Sequence, residues 1–114
     1  MEYMAESIEA VDNKFVGNTT LAVIVTNASF SKAQLCKIAG MGHDGYARSI
    51  RPVHTSADGD SIYAVSVGNV SADQDLVGSI AADVISEAIL RAVRSAGSAY
   101  GYPSASEIRN GTRE

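Results

Sequence analysis

The sequence predicts an α/β fold with the element order β-α-β-α, and three observations carry that expectation. Leu21 to Val25 is an unbroken apolar run, Ser61 to Val67 alternates between two faces, and Leu76 to Val93 places apolar residues at helical spacing. Between the two strand candidates a helix is expected from about Ser31, with Pro52 ending any helical path.

The first sixteen residues are open. Tyr3, Met4, Ile8 and Val11 fall at loose helical spacing, while "IEAVDNKFVG" fits a strand and a bend at Asp12-Asn13 equally well. Leu21 to Thr26 follows as a strand, and its continuous apolar character predicts burial on both faces. A helix is expected from Ser31, which has capping-box spacing to Gln34, with Leu35, Ile38, Ala39 and Gly42 on one face. Gly40, Gly42 and Gly45 each cost about 1 kcal/mol relative to Ala inside a helix, so the helix either packs very closely there or breaks. "HDG", His43 to Gly45, reads as helix termination and packing, and Pro52 ends any helical path, because the residue before proline avoids the helical region.

Val53 to Asp60 is a loop with an Asp-Gly turn signal. In the strand that follows, Ile62, Ala64 and Ser66 share one face, and Tyr63, Val65 and Val67 the other. The last helix has a second capping-box spacing at Ser71 and Gln74, with Asp73 and Asp75 suited to the positive end of the helix dipole. Its apolar stripe is wide, Arg91 and Arg94 suit its C-terminal end, and Gly97 can stop it. The tail from Gly101 is polar and turn-rich, with an end expected to be mobile.

A helical crossover between two strands of one sheet makes them parallel. Both strand starts then lie at one edge of the sheet. Thr19 is thereby brought near the loop carrying His54, Thr55, Ser56, Asp58 and Asp60.

The bulk properties narrow the function. The 114 residues form one domain, 46% hydrophobic and 19% charged, as in globular chains. Nine basic against thirteen acidic residues give a net charge of -4 without a basic run, which argues against nucleic acid or an anionic membrane as partner. The apolar runs are too short to span a bilayer and the N-terminal region is acidic, so a cytoplasmic location is expected, and the N-x-[ST] matches at Asn18, Asn27, Asn69 and Asn110 are chance. Cys36 reads as a small core residue. His43 and His54 lack ligand spacing and read as structural, so neither metal nor cofactor is expected. Arg48 and Arg51 read as solvated or ion-paired, with contact to a substrate carboxylate as the alternative.

"GNTTLAVIVTNA", "KIAGMGHDGYARSIRPVHT" and "DGDSIYAVSVG", in that order, resemble the C-terminal catalytic segment of the DmpA-like L-aminopeptidase/D-Ala-esterase-amidase family, whose more distant relatives include the ornithine acetyltransferases. The resemblance spans Val16 to Val93. It implies a precursor that cuts itself before a Ser or Thr into an α-chain and a β-chain within an α/β/β/α sandwich, about half of which this β-α-β-α segment would form. Carried onto this sequence, residues 1–18 are a lead-in, 19–100 the β-chain-like segment and 101–114 a tail. The scissile bond is Asn18-Thr19 and the nucleophile Thr19, with Thr20 as the alternative register. The family's orienting Ser and acidic residue fall best on Ser56 and Asp58, with Thr55 and Asp60 competing.

This chemistry is coherent. An N-terminal Thr carries its own base, an α-amino group with a typical pKa of about 7.7–8.0, and before cleavage the hydroxyl can attack the Asn18 carbonyl in an N-to-O acyl shift. Short peptides, amino-acid amides or esters are the expected substrates. The family's α-chain and its oxyanion-stabilising Asn lie outside this sequence, so an α-chain or homologous subunit, in an oligomer, is the expected partner. A non-catalytic assembly module and an acyltransferase of the ornithine acetyltransferase type are the alternatives.

Overall fold

A computed structural model describes residues 18–111, and the open reading of residues 1–16 lies outside them. The elements are β1 (Leu21–Ala28), α1 (Lys32–Ser49), β2 (Ser61–Val70), α2 (Gln74–Ser95) and α3 (Ala105–Gly111). β1 and β2 pair in parallel from Leu21↔Ser61 to Thr26↔Ser66, with α1 as the crossover. The register then shifts, so that Ala28 pairs with Val70.

Ser31 caps α1 through the full capping box: its hydroxyl accepts the Gln34 N–H at 3.2 Å, and the Gln34 side chain accepts the Ser31 N–H at 2.9 Å. The glycines do not break the helix. Gly42 and Gly45 are buried, and a Cβ on either would stand 3.0 Å from Ile85 side-chain atoms, so two helix backbones meet where side chains are missing. "HDG" therefore serves packing and not termination. α1 runs on to Ser49, and Ile50 leaves it in an extended conformation ahead of a cis Arg51-Pro52 bond. Arg48 pairs with Asp83 across the two helices.

The N-cap of α2 is Asp73, and not Ser71 as the capping-box spacing suggested. Its carboxylate accepts the Leu76 N–H at 2.9 Å and adds a negative charge at the positive helix end, which a hydroxyl two residues earlier cannot match. At the other end α2 stops at Ser95, before Gly97, because Ser95 Oγ and the Ala96 N–H satisfy the carbonyls of Arg91 and Ala92.

Ile24, Ile38, Tyr46, Ala81 and Ile85 form the core, flanked by Ile62 and Ala64 from β2. Burial of β1 on both faces does not hold among the described residues: Val23 and Val25 are over three-fifths exposed, and Tyr63, Val65 and Val67 beside them are open too. The helices cover one face of the sheet only. The stripe of α2 is likewise wider than what it buries, leaving Leu76, Ile80, Val84 and Val93 exposed. Cys36 is exposed and not a core residue, because α1 turns Ile38, Gly42, Gly45 and Tyr46 inward, away from it.

The end of the tail, expected to be mobile, lies outside the described residues, and the turn-rich part before it is described. Ala99 and Tyr102 bond to each other at 2.9 and 3.1 Å across a tight turn in which Tyr100 and Gly101 both have positive φ, and Ser104 then caps α3.

Candidate functional site

The parallel pairing sets the start of β1 beside residues 54–60, as expected from the crossover. Gly59 N–H donates to Asn18 O at 2.9 Å, and Ser61 N–H to Thr20 O at 2.9 Å, continuing the ladder past the strand ends. Regular parallel pairing would then send the Thr20 N–H to Gly59 O. Instead the Thr20 N–H donates to Asp60 Oδ1 at 2.9 Å, and Gly59 O accepts the Thr19 hydroxyl at 2.6 Å and the Ser61 hydroxyl at 3.3 Å. One backbone rung is replaced by side-chain bonds. The result fixes the Thr19 hydroxyl on the exposed side of the junction.

Asp60 is the anchor of this junction. Its side chain is only 2% exposed, and its second oxygen accepts the His54 N–H at 2.8 Å. One carboxylate thus ties the start of β1 to the loop, where His54 sits at a φ of 55°. The His54 ring stacks on His43 of α1 with centroids 4.1 Å apart, and His43 also meets Tyr46 edge to face. Burial, then the neighbouring His54, hold the His43 pKa below its ordinary value, and its buried Nδ1 has no hydrogen-bond partner among the described residues. Tyr46 is fully buried, with its hydroxyl 3.0 Å from Ser61 O and 3.2 Å from Thr20 O, so its single proton serves the two strand starts at once. Burial and then the Asp60 charge raise its pKa.

The predicted residues divide into two groups. Asn18, Thr19 and Asp60 are brought together, with Thr20 joined through its backbone. Asp58 instead closes its own turn, accepting the Thr55 hydroxyl at 2.7 Å and the Thr55 N–H at 2.9 Å, and these two bonds lower its pKa. Ser56 is exposed in that turn, and no hydrogen bond joins Ser56 or Asp58 to Thr19 among the described residues. Sequence reasoning missed Gly59, which acts through its backbone alone, and Tyr46, which it did not single out. The second acid of "DGD" was the available signal for Asp60. Among the described residues no three His, Cys, Asp or Glu side chains group as metal ligands, and no helix is long and apolar enough to cross a membrane.

Comparison with known proteins places this junction in a family. An uncharacterised aminopeptidase of Mycobacterium tuberculosis is 37% identical over 101 residues, covering 75% of this chain and 29% of that protein. A 6-aminohexanoate-oligomer endohydrolase of a Kocuria species is 33% identical over 106 residues, covering 82% of this chain and 29% of that protein. A 6-aminohexanoate-oligomer endohydrolase of Paenarthrobacter ureafaciens is 34% identical over 104 residues, covering 80% and 29% respectively. The chain thus spans less than a third of the length of these relatives. The sequence model of peptidase family S58 matches residues 2–106, which include both strands, both long helices and the Thr19 junction, and the chain belongs to that family.

Proposed function

We propose that this chain is the nucleophile-bearing segment of an N-terminal-nucleophile aminopeptidase or amidase, cut at Asn18-Thr19 so that Thr19 becomes the first residue of the mature β-chain. The observation that carries the reading is the Thr19 junction, where a hydroxyl is fixed at a strand start beside a buried carboxylate. Family membership and relatives named as an aminopeptidase and as endohydrolases of amide-linked oligomers support a hydrolase of short peptides, amino-acid amides or esters. After cleavage the freed α-amino group takes the hydroxyl proton as Thr19 attacks the substrate carbonyl. Asp60 holds the strand start in place through Thr20. Ser56 and Asp58, assigned by resemblance, lie in the adjoining turn and would need a rearrangement of the loop to meet Thr19. The remaining two-thirds of the relatives' length supplies the second sheet of an α/β/β/α sandwich, which covers the open face of β1 and β2, together with the oxyanion-stabilising groups.

The test is intact mass with N-terminal sequencing, coupled to hydrolysis of an L-amino-acid p-nitroanilide by the protein with its complete α-portion. A chain beginning at Thr19, with both cleavage and hydrolysis abolished in Thr19→Ala, is the expected result. Hydrolysis that survives Thr19→Ala sinks the reading. The exposed sheet face also favours a second reading, an assembly module without catalysis, for which a stable uncut chain that still binds its partner is the signature.

A further inference from the structure

We propose that the Gly59 peptide unit activates the Asn18-Thr19 bond for self-cleavage, its N–H polarising the scissile carbonyl while its C=O positions the attacking hydroxyl. The inference rests on the reading of Thr19 as the nucleophile and adds the group that prepares the electrophile. Its two halves are both on one residue: Gly59 N–H lies 2.9 Å from Asn18 O, and Gly59 O accepts the Thr19 hydroxyl at 2.6 Å. The first is a donor at hydrogen-bond distance from the oxygen that takes on charge as the carbonyl is attacked. The second exists because the Thr20 N–H is diverted to Asp60, leaving Gly59 O to the hydroxyl. A regular rung would have made the hydroxyl share that oxygen with the Thr20 N–H.

The step balances without an external acid. Thr19 Oγ bonds to the Asn18 carbonyl carbon, and the carbonyl electron pair moves onto Asn18 O, where the Gly59 N–H holds it. Collapse breaks the C–N bond, and the hydroxyl proton ends on the Thr19 nitrogen, leaving an ester between Asn18 and Thr19 Oγ. Water then adds to the ester carbon, one of its protons returning to Oγ and the other passing to the freed Thr19 amine, which leaves an Asn18 carboxylate and a Thr19 ammonium. A Cβ at position 59 would stand 3.2 Å from Thr19 Oγ1, a tight contact, and 3.7 Å from Asn18 O, so a side chain there crowds the attacking hydroxyl.

The experiment replaces the Gly59 amide by an ester, glycolate in place of glycine, in the full chain; this removes the N–H and no side-chain atom. Cleavage at Asn18-Thr19 is followed by mass spectrometry with and without hydroxylamine, which captures the ester intermediate, and folding is checked by far-UV circular dichroism. Self-cleavage is expected to slow by about 100-fold or more, the usual cost of one lost oxyanion donor, with no rescue by hydroxylamine because ester formation has become limiting. Gly59→Ala, which keeps the N–H, is expected to slow the same step through its Cβ. If the folded ester analogue cuts at the parent rate, or hydroxylamine restores that rate, the role of Gly59 is overturned while Thr19 remains the nucleophile. A parent chain that stays uncut, like Thr19→Ala, overturns both readings together.

Discussion

At the scale of single residues, two acids two positions apart hold different structures together, and substitution should separate them. Asp60 uses both oxygens on backbone N–H groups, those of Thr20 and His54, while Asp58 serves only Thr55 in its own turn. In Asp60→Asn the amide NH2 must confront one of these two donors, and a hydrogen bond to a charged group contributes about 1.5–3 kcal/mol. That variant is expected to lose stability of this order in urea unfolding, with slower cutting before Thr19, whereas Asp58→Asn, in an exposed turn, should lose clearly less. Equal losses in the two would show that Asp60 is not the anchor. His43 adds a pH dependence of definite sign. Burial and His54 lower its folded pKa, outweighing the opposing pull of Asp60 and Asp44, so below pH 6.5 the unfolded chain binds the proton more readily than the folded one. Its contribution is therefore neutral at high pH and turns against folding as pH falls from 6.5 toward the lowered folded value. His43→Phe keeps a ring against His54 without the proton, so its Tm should fall less than the parent's between pH 7 and pH 5.

At the scale of elements, the close approach of α1 and α2 rests on missing side chains. Gly45 packs against Ala82 and Ile85, and a Cβ there would meet Ile85 Cβ at 3.0 Å and Cγ2 at 3.1 Å. Gly45→Ala raises helix propensity by about 1 kcal/mol, yet overpacking a fitted interface costs about 1–3 kcal/mol. The net expectation is a lower Tm, and a higher one would show that the helices separate freely. Gly40 supplies the control: among the described residues nothing outside its own helix backbone and chain neighbours stands within 4 Å of a Cβ there, so Gly40→Ala should stabilise. The sequence presented these glycines as a choice between tight packing and a break, which periodicity alone cannot settle because both outcomes need the same small residues. The parallel pairing was legible, since a helix between strands of one sheet admits little else, and with it the meeting of Thr19 and the 54–60 loop. The partners within that loop were not. Asp60 competed for the acidic role, but its hold on two main-chain N–H groups and the part Gly59 plays through its own backbone depend on the path of the loop, which residue types do not encode.

At the scale of the whole molecule, the sheet has one covered and one open face, and that imbalance ties stability to what lies beyond this segment. Val23 and Tyr63 pair side by side across β1 and β2, as do Val25 and Val65, and all four point away from the helices. A contiguous apolar face of this kind marks an interaction surface. The chain spans 29% of the length of the aminopeptidase relative, so the remainder of the family fold is the occupant expected there. The same substitutions should consequently have opposite effects in two settings. In the isolated segment, Val23→Thr, Val25→Thr and Val65→Thr together place hydroxyls in water and should reduce self-association in sedimentation velocity without lowering Tm through lost burial. In the complete protein each hydroxyl would be buried, at a cost of about 1–3 kcal/mol apiece where no hydrogen bond compensates, and the triple variant should unfold earlier or fail to assemble. A triple variant as stable as the parent in the complete protein would mean that this face stays in solvent, and that the open side of the sheet is a surface of the family rather than an interior exposed by its isolation.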